Sequence, residues 1–228
     1  MRQFSRYQVA TAIAVLFHTV GLVGLLFFKE TNFVNTTPLH LSLMAVLLFY
    51  TQEKINGPFI IFFAACFITG IAVEIIGTST GYLFGNYSYG TVLGPGYKNV
   101  PYIIGVNWFI IIYCCGVAVH SLLKKVSDKM SEEMERPLKK IKALSIVVDG
   151  ATLAVAFDWL IEPVAIKLGY WAWLGDGQIP MFNYISWFVI SMLLLLIFHY
   201  GPFKKQNKFA INLLLIQAMF FLLLRTFL

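Results

Sequence analysis

Charge is scarce in this chain: Asp, Glu, Lys and Arg make up 12% of its 228 residues, about half of the roughly 25% carried by a soluble domain. Hydrophobic residues account for 59% and mean hydropathy is +0.76. Together these exclude an ordinary soluble domain and indicate a polytopic membrane protein. Cysteine is nearly absent. Cys66, Cys114 and Cys115 all fall inside apolar stretches and are odd in number, so neither a disulfide framework nor a metal-ligand spacing can be built from them. Histidine is as sparse, with His18, His40, His120 and His199 on four different stretches. No metal site is expected from them. His40, the only one at the outer level, is either a hydrogen-bonded packing residue or part of a substrate-binding wall.

Seven apolar stretches are long enough, or nearly so, to cross about 30 Å of hydrocarbon as helices: approximately 8–28, 35–52, 58–77, 101–123, 141–162, 180–200 and 208–224. The fold expected is therefore an all-α membrane bundle forming one integral domain over 1–228. The first stretch is too long for a signal peptide and no small-x-small cleavage site follows it, which reads as a retained helix. When the seven stretches alternate, thirteen of the seventeen Lys and Arg, including Arg2, Arg6, Lys54 and all seven between 124 and 142, fall on one side. Lys29, Lys98, Lys167 and Arg225 fall on the other. The positive-inside rule makes the N-terminus cytoplasmic and the C-terminus external, in the cytoplasmic membrane of a bacterium or archaeon. The net charge of +6 then calls for no nucleic acid. The basic loop is a solvated connector or a contact for anionic lipid headgroups.

Depth can now be assigned to the few polar residues inside the stretches. Glu74 lies about one turn below the outer end of the third. Asn107 and Trp108 lie roughly 9 to 10 Å down the fourth at 1.5 Å per residue. Asp158 and Glu162 are four apart on the fifth, hence on one face, and Asn183 and Trp187 occupy the first two turns of the sixth. All converge on the outer third of the membrane, where ionisable groups are costly and face a cavity or a partner. Asp149 points away, nine residues before Asp158.

Two outer loops cap this layer, 78–99 and 163–178. Both are rich in glycine and aromatics, and a loop as long as the first is uncommon without a function. Tyr82, Phe84, Tyr87, Tyr89, Tyr97, Tyr170, Trp171 and Trp173 form either a lid or an interfacial aromatic belt. Gly77, Gly81 and Gly85 suit tight turns, but no Lys-Ser or Lys-Thr follows to make a phosphate loop. A faint repeat relates 58–123 to 143–200: Val100-Pro101 precedes Trp108-Phe109-Ile110-Ile111 as Ile179-Pro180 precedes Trp187-Phe188-Val189-Ile190. Such repeats often meet at a binding site.

Chemically, two carboxyl groups one helical turn apart in apolar surroundings divide into one that holds a proton and one that accepts it, as general acid-base catalysis requires. The plainer alternative is a helix-end acid bonded to a nearby Asn or Trp, which suits Glu162 best. The stretch E-I-I-G-T-S-T-G-Y-L-F-G-N-Y-S-Y from Glu74, F-D-W-L-I-E-P-V-A around Asp158, G-Y-W-A-W and I-P-M-F-N-Y-I-S-W-F resemble carotenoid biosynthesis membrane proteins of the carotenoid 1,2-hydratase and bisanhydrobacterioruberin hydratase type. The resemblance covers 71–190, with local variants at Phe157-Asp158 and Gly175-Asp176-Gly177.

That resemblance implies hydration of the terminal double bond of an acyclic carotenoid, without a redox cofactor or metal. Protonating such an alkene makes a tertiary carbocation, so the site needs an acid in a dry pocket, an anion, aromatic faces and a held water. On this reading Asp158 donates the proton, Glu74 stabilises charge and activates water, and Glu162 tunes the pair. Asn107 and Asn183 hold the water, and Trp108 and Trp187 face the cation. Tyr82, Tyr89, Trp171, Trp173 and His40 line the substrate. The expected partners are a lycopene- or γ-carotene-like polyene entering from lipid, membrane lipids themselves and neighbouring carotenoid-pathway enzymes. An end-group cyclase shares the protonation step and is separated only by product. A proton-coupled transporter would also use intramembrane acids, but acids are nearly absent from the inner half. A retinal protein is disfavoured because the last stretch has no Lys beyond Lys208.

Overall fold

The computed structural model describes residues 4–28, 32–129 and 132–228, with side chains from 132–140 excepted. Arg2, Lys29 and the side chains of Arg136, Lys139 and Lys140, which entered the charge distribution, lie outside the described residues. The chain forms α1 (Arg6–Phe27), a 3-10 turn (Asn32–Thr36), α2 (Thr37–Thr51) and α3 (Gly57–Thr80). The strands β1 (Tyr87–Tyr89), β2 (Gly96–Tyr97) and β3 (Val100–Pro101) follow. Then come α4 (Tyr102–Ser127), α5 (Glu132–Lys167), β4 (Trp171–Trp173), α6 (Met181–Tyr200) and α7 (Lys208–Phe227).

Seven helical segments among the described residues are long and apolar enough to cross a membrane. In its most apolar stretch α4 is 78% buried, against 22–50% for the other six, so it is the central helix. The others expose Leu16, Val20, Ile61, Ile68, Leu193 and Leu215 on their far sides. A helix as apolar outside as inside is at home only in lipid.

Local chemistry places the helix ends. Asn56 caps α3 by accepting the Phe59 N–H at 3.2 Å, with Pro58 in the first turn. Asn207 caps α7 by accepting from Phe209 and Ala210. At its other end α3 continues past Gly77 to Thr80, three residues further than its hydropathy suggests. It stops at Gly81, whose φ of 71° is the left-handed conformation that glycine adopts without strain.

The larger departure is in α5, which does not end at Glu162. It passes through Pro163 and closes at Gly169, where Tyr170 N–H reaches Ala165 O at 2.9 Å and Gly169 N–H reaches Ile166 O at 3.1 Å, a Schellman closure. Pro163 has no N–H for the carbonyl of Trp159 four residues back. Arg225 of α7 takes its place, donating to Trp159 O at 3.3 Å with its guanidinium 4.0 Å over the Trp159 ring. A tertiary donor thus lets the helix run on.

The two glycine-rich loops are partly ordered as strands. β1 pairs antiparallel with β4, Tyr87 opposite Trp173 and Tyr89 opposite Trp171. Gly90 donates to Tyr170 O at 2.9 Å just beyond the ladder. β2 and β3 form a tight hairpin whose two turn residues, Lys98 and Asn99, have φ of 48° and 64°, as its right-handed twist requires. The end of the bundle bearing the β1–β4 ribbon is called the ribbon end below.

Candidate active site

Side chains alternate along a strand, so Tyr87 and Tyr89 share one face of the ribbon, as do Trp171 and Trp173. Each pair reaches the acid of the helix just before it. Glu74 accepts hydrogen bonds from Tyr87 Oη at 2.5 Å and Tyr89 Oη at 2.8 Å through the same oxygen, Oε2. Trp108 Nε1 donates to its Oε1 at 3.1 Å. Glu162 Oε2 accepts from the indole nitrogens of Trp171 and Trp173, both at 3.0 Å. Asp158 Oδ2 accepts from Asn183 Nδ2 at 2.8 Å.

All three acids are at most 5% exposed. None has a cationic partner: among the described residues the one ion pair is Lys204 with Glu53, at 3.9 Å. The carboxyl groups are held by neutral donors alone. The hydroxyls of Tyr87 and Tyr89 are both pushed above the usual phenol range, first by burial and then by the negative charge of Glu74. They therefore stay protonated and act as donors.

Close approach to Glu74 depends on two glycines of α3. A Cβ on Gly77 would lie 2.8 Å from Tyr87 Oη and from Phe84, and one on Gly70 would lie 2.6 Å from the Trp108 ring. These positions are three after and four before Glu74, on its own face. Gly77 is thus a contact residue within the helix and not, as expected, a turn residue.

The three acids line one small chamber of about 30 Å³, together with Tyr87, Tyr89, Asn107, Trp108, Asn183 and Trp187. Ile104, Asn107 and Trp171 also line a second, apolar cavity of about 300 Å³ among α1, α2, α4, α5 and α7. Asn107 has no hydrogen-bond partner among the described residues.

Several expected site residues fall elsewhere. Tyr82 is 74% exposed and outside the chamber, because Gly81 turns the chain away from the bundle before it. Tyr97 sits in the exposed β2–β3 hairpin. His40 lines the apolar cavity and not the chamber, and it is not alone. Its Nε2 lies 3.4 Å from His18 Nδ1, since α1 and α2 pack together. Trp108 and Trp187 stack on each other, centroids 3.9 Å apart and 6° from parallel, so each has one face already covered. Glu162, expected at the water interface, is buried, because α5 continues beyond it. Asp149 stays apart and accepts from Ser145.

Tyr87 was expected only in the lid, yet it is the shortest-range partner of Glu74. The signal lay in the Tyr-x-Tyr and Trp-x-Trp alternation. Tyr170, by contrast, turns to Thr37 Oγ1 at 2.7 Å, and burial pushes its hydroxyl up to about 12. Among the described residues no three His, Cys, Asp or Glu side chains are placed to hold a metal ion.

These features define a seven-helix integral membrane protein in which three helix-borne carboxyl groups meet beneath an aromatic strand ribbon. Residues 35–228 match the carotenoid biosynthesis protein family, and the chain belongs to that family. It is 25% identical over 216 residues to the bisanhydrobacterioruberin hydratase of Haloarcula japonica, which covers 87% of this chain and 68% of that protein. No solved structure matches it.

Proposed function

We propose that the protein is a carotenoid hydratase that adds water across the terminal 1,2 double bond of an acyclic carotenoid end group. One observation carries the reading. A polar chamber of about 30 Å³ adjoins an apolar cavity of about 300 Å³ through a common wall of Ile104, Asn107 and Trp171. The first has room for one or two waters and none for a polyene. The second is at the lower end of the size range of sites that hold apolar ligands.

Donor counts support a division of roles. Glu74 receives three hydrogen bonds, Glu162 two and Asp158 one. Hydrogen bonds to a carboxylate favour its charged form, so Glu74 serves as the anion and Asp158, with Oδ1 unclaimed, carries the proton. Asp158 protonates the less substituted alkene carbon and leaves a tertiary cation beside the carboxylates and Trp171. A water held by Asn107 and Asn183 adds to the cation, and the proton it sheds passes to a carboxylate. The sum is one alkene plus one water giving one tertiary alcohol, with no electron acceptor. Cation contact moves from Trp108 and Trp187 to Trp171, because the first two cover each other.

The reading treats 58–123 and 143–200 as related halves. Each contributes an acid-bearing helix, an aromatic strand that grips the acid and a tryptophan of the central stack. It also places the ribbon end at the outer face, by the distribution of Lys and Arg.

The test is expression in a host that accumulates lycopene or γ-carotene, with pigment chromatography and mass analysis. Hydration yields a product heavier by one water. Cyclisation yields an isomer, which would make the protein an end-group cyclase instead. Wild-type levels of alcohol from both Asp158→Asn and Glu74→Gln would show that the catalytic roles are misassigned.

A further inference from the structure

The 300 Å³ cavity is not uniformly apolar. At the end formed by α1, α2 and α7 it is lined by His18, His40 and Gln217, none of which the hydration chemistry uses. Phe220, one turn along α7 from Gln217, packs edge-on against both imidazoles, with ring centroids 5.2 and 6.3 Å away. Gly21 borders the same corner: a Cβ there would make ordinary contact with the Phe220 ring at 3.5 Å and His40 Nδ1 at 3.7 Å.

The protons of this corner can be placed. His18 Nδ1 lies 2.7 Å from Ala14 O. A carbonyl only accepts, so Nδ1 carries the hydrogen and Nε2 of the neutral ring keeps a free lone pair. His40 Nε2, 3.4 Å from the same Nδ1, accepts a share of that hydrogen, which leaves the N–H of His40 on Nδ1. Gln217 is 5% exposed and has no hydrogen-bond partner among the described residues. Its amide lines the cavity with its donors and acceptor unused by the protein. The corner therefore offers an acceptor at His18, a donor at His40 and both at Gln217. A hydrocarbon can use none of these, whereas a hydroxyl, one donor and two acceptor sites on a single atom, can engage all three residues by donating to His18 and accepting from His40 and Gln217.

We propose that His18, His40 and Gln217 form a polar subsite for a hydroxyl group carried part-way along an otherwise apolar isoprenoid chain whose alkene end lies at Asn107. The proposal rests on the cavity being the isoprenoid's place, as the hydratase reading has it. Counting residues back from the ribbon end, Gln217 is roughly one to two helical turns deeper than Asn107. The hydroxyl and the reacting end are thus distinct points on one chain.

Binding to the full-length protein in nanodiscs tests this without any turnover, read by quenching of tryptophan emission from Trp171, which lines both cavities. The probes are lycopene and the same polyene bearing one hydroxyl. Wild type is expected to bind the hydroxylated polyene about tenfold more tightly, the worth of one well-made hydrogen bond. Gln217→Leu should abolish that preference while leaving lycopene binding within about twofold. His40→Gln, which keeps a donor, should retain part of it.

Equal binding of both probes by wild type overturns the proposal. So does a Gln217→Leu variant that weakens both alike, and failure of both probes to bind overturns the cavity assignment with it. If the preference holds but no alcohol forms from any polyene, the subsite stands and the hydratase reading falls.

Discussion

Tyr87→Phe and Tyr89→Phe probe the cradle of Glu74 with the smallest possible change, since each removes one oxygen and leaves the ring packing intact. Tyr87 Oη is 2.5 Å and Tyr89 Oη 2.8 Å from the same carboxylate oxygen, and both rings are largely buried, so no bulk water replaces either hydroxyl. A hydrogen bond to a charged group is worth about 1.5–3 kcal/mol, which corresponds to a loss of roughly 10- to 150-fold in rate if Glu74 must be anionic in the transition state. The two losses should not add. With one hydroxyl gone the other still faces Oε2, and groups sharing one acceptor couple. The double variant should therefore fall short of the product of the two single effects.

The assay is the initial rate of alcohol formation by purified protein in liposomes, with thermal unfolding of the same samples to separate lost activity from lost fold. Trp173→Phe, which strips a donor from Glu162 instead, gives a comparison within the same ribbon. Rates within about twofold of wild type for both single variants, far below the loss expected of a charged hydrogen bond, would refute the assignment of Glu74 as the working anion.

Gly77→Ala should lower both activity and the thermal midpoint, because its Cβ would meet Tyr87 Oη at 2.8 Å and overpacking of this kind costs about 1–3 kcal/mol. Arg225→Met should destabilise the protein by about 1–2 kcal/mol through the bare Trp159 carbonyl and the lost stacking. Pro163→Ala, which restores a backbone N–H to that carbonyl, should recover part of the loss in a double-mutant cycle of unfolding. At high pH the sign follows from Tyr170, whose hydroxyl is raised to about 12 in the folded state from an unfolded value near 10. The folded protein holds that proton more tightly, so stability is fully present below pH 10 and is lost as pH rises from 10 through about 12. Tyr170→Phe should flatten this limb in a series of thermal melts.

Much of the architecture follows from local properties. An apolar run long enough to cross hydrocarbon must satisfy its own backbone and so becomes a helix, whatever its neighbours are. That is why seven spans, and the depths of Glu74, Asp158 and Glu162, follow from counting. The i, i+4 spacing likewise settles that Asp158 and Glu162 share a face. The alternation in Tyr-x-Tyr and Trp-x-Trp even announces which side chains can point the same way. Boundaries were less legible. Pro163 and Gly77 carry the usual marks of helix ends, but a donor from α7 in one case and close-packed aromatics in the other override them.

The amino-acid order by itself determined the class of protein, its spans and the level at which acids gather. Only the packed structure decided which donor holds which acid, that His40 lies against His18, that Tyr82 stays outside, and that a water-sized chamber adjoins an apolar cavity. The reason is range. Helix formation and burial depth are set by neighbours within a few residues, whereas each of these contacts joins groups from different elements. Their distances follow from how helices pack and where the strands pair.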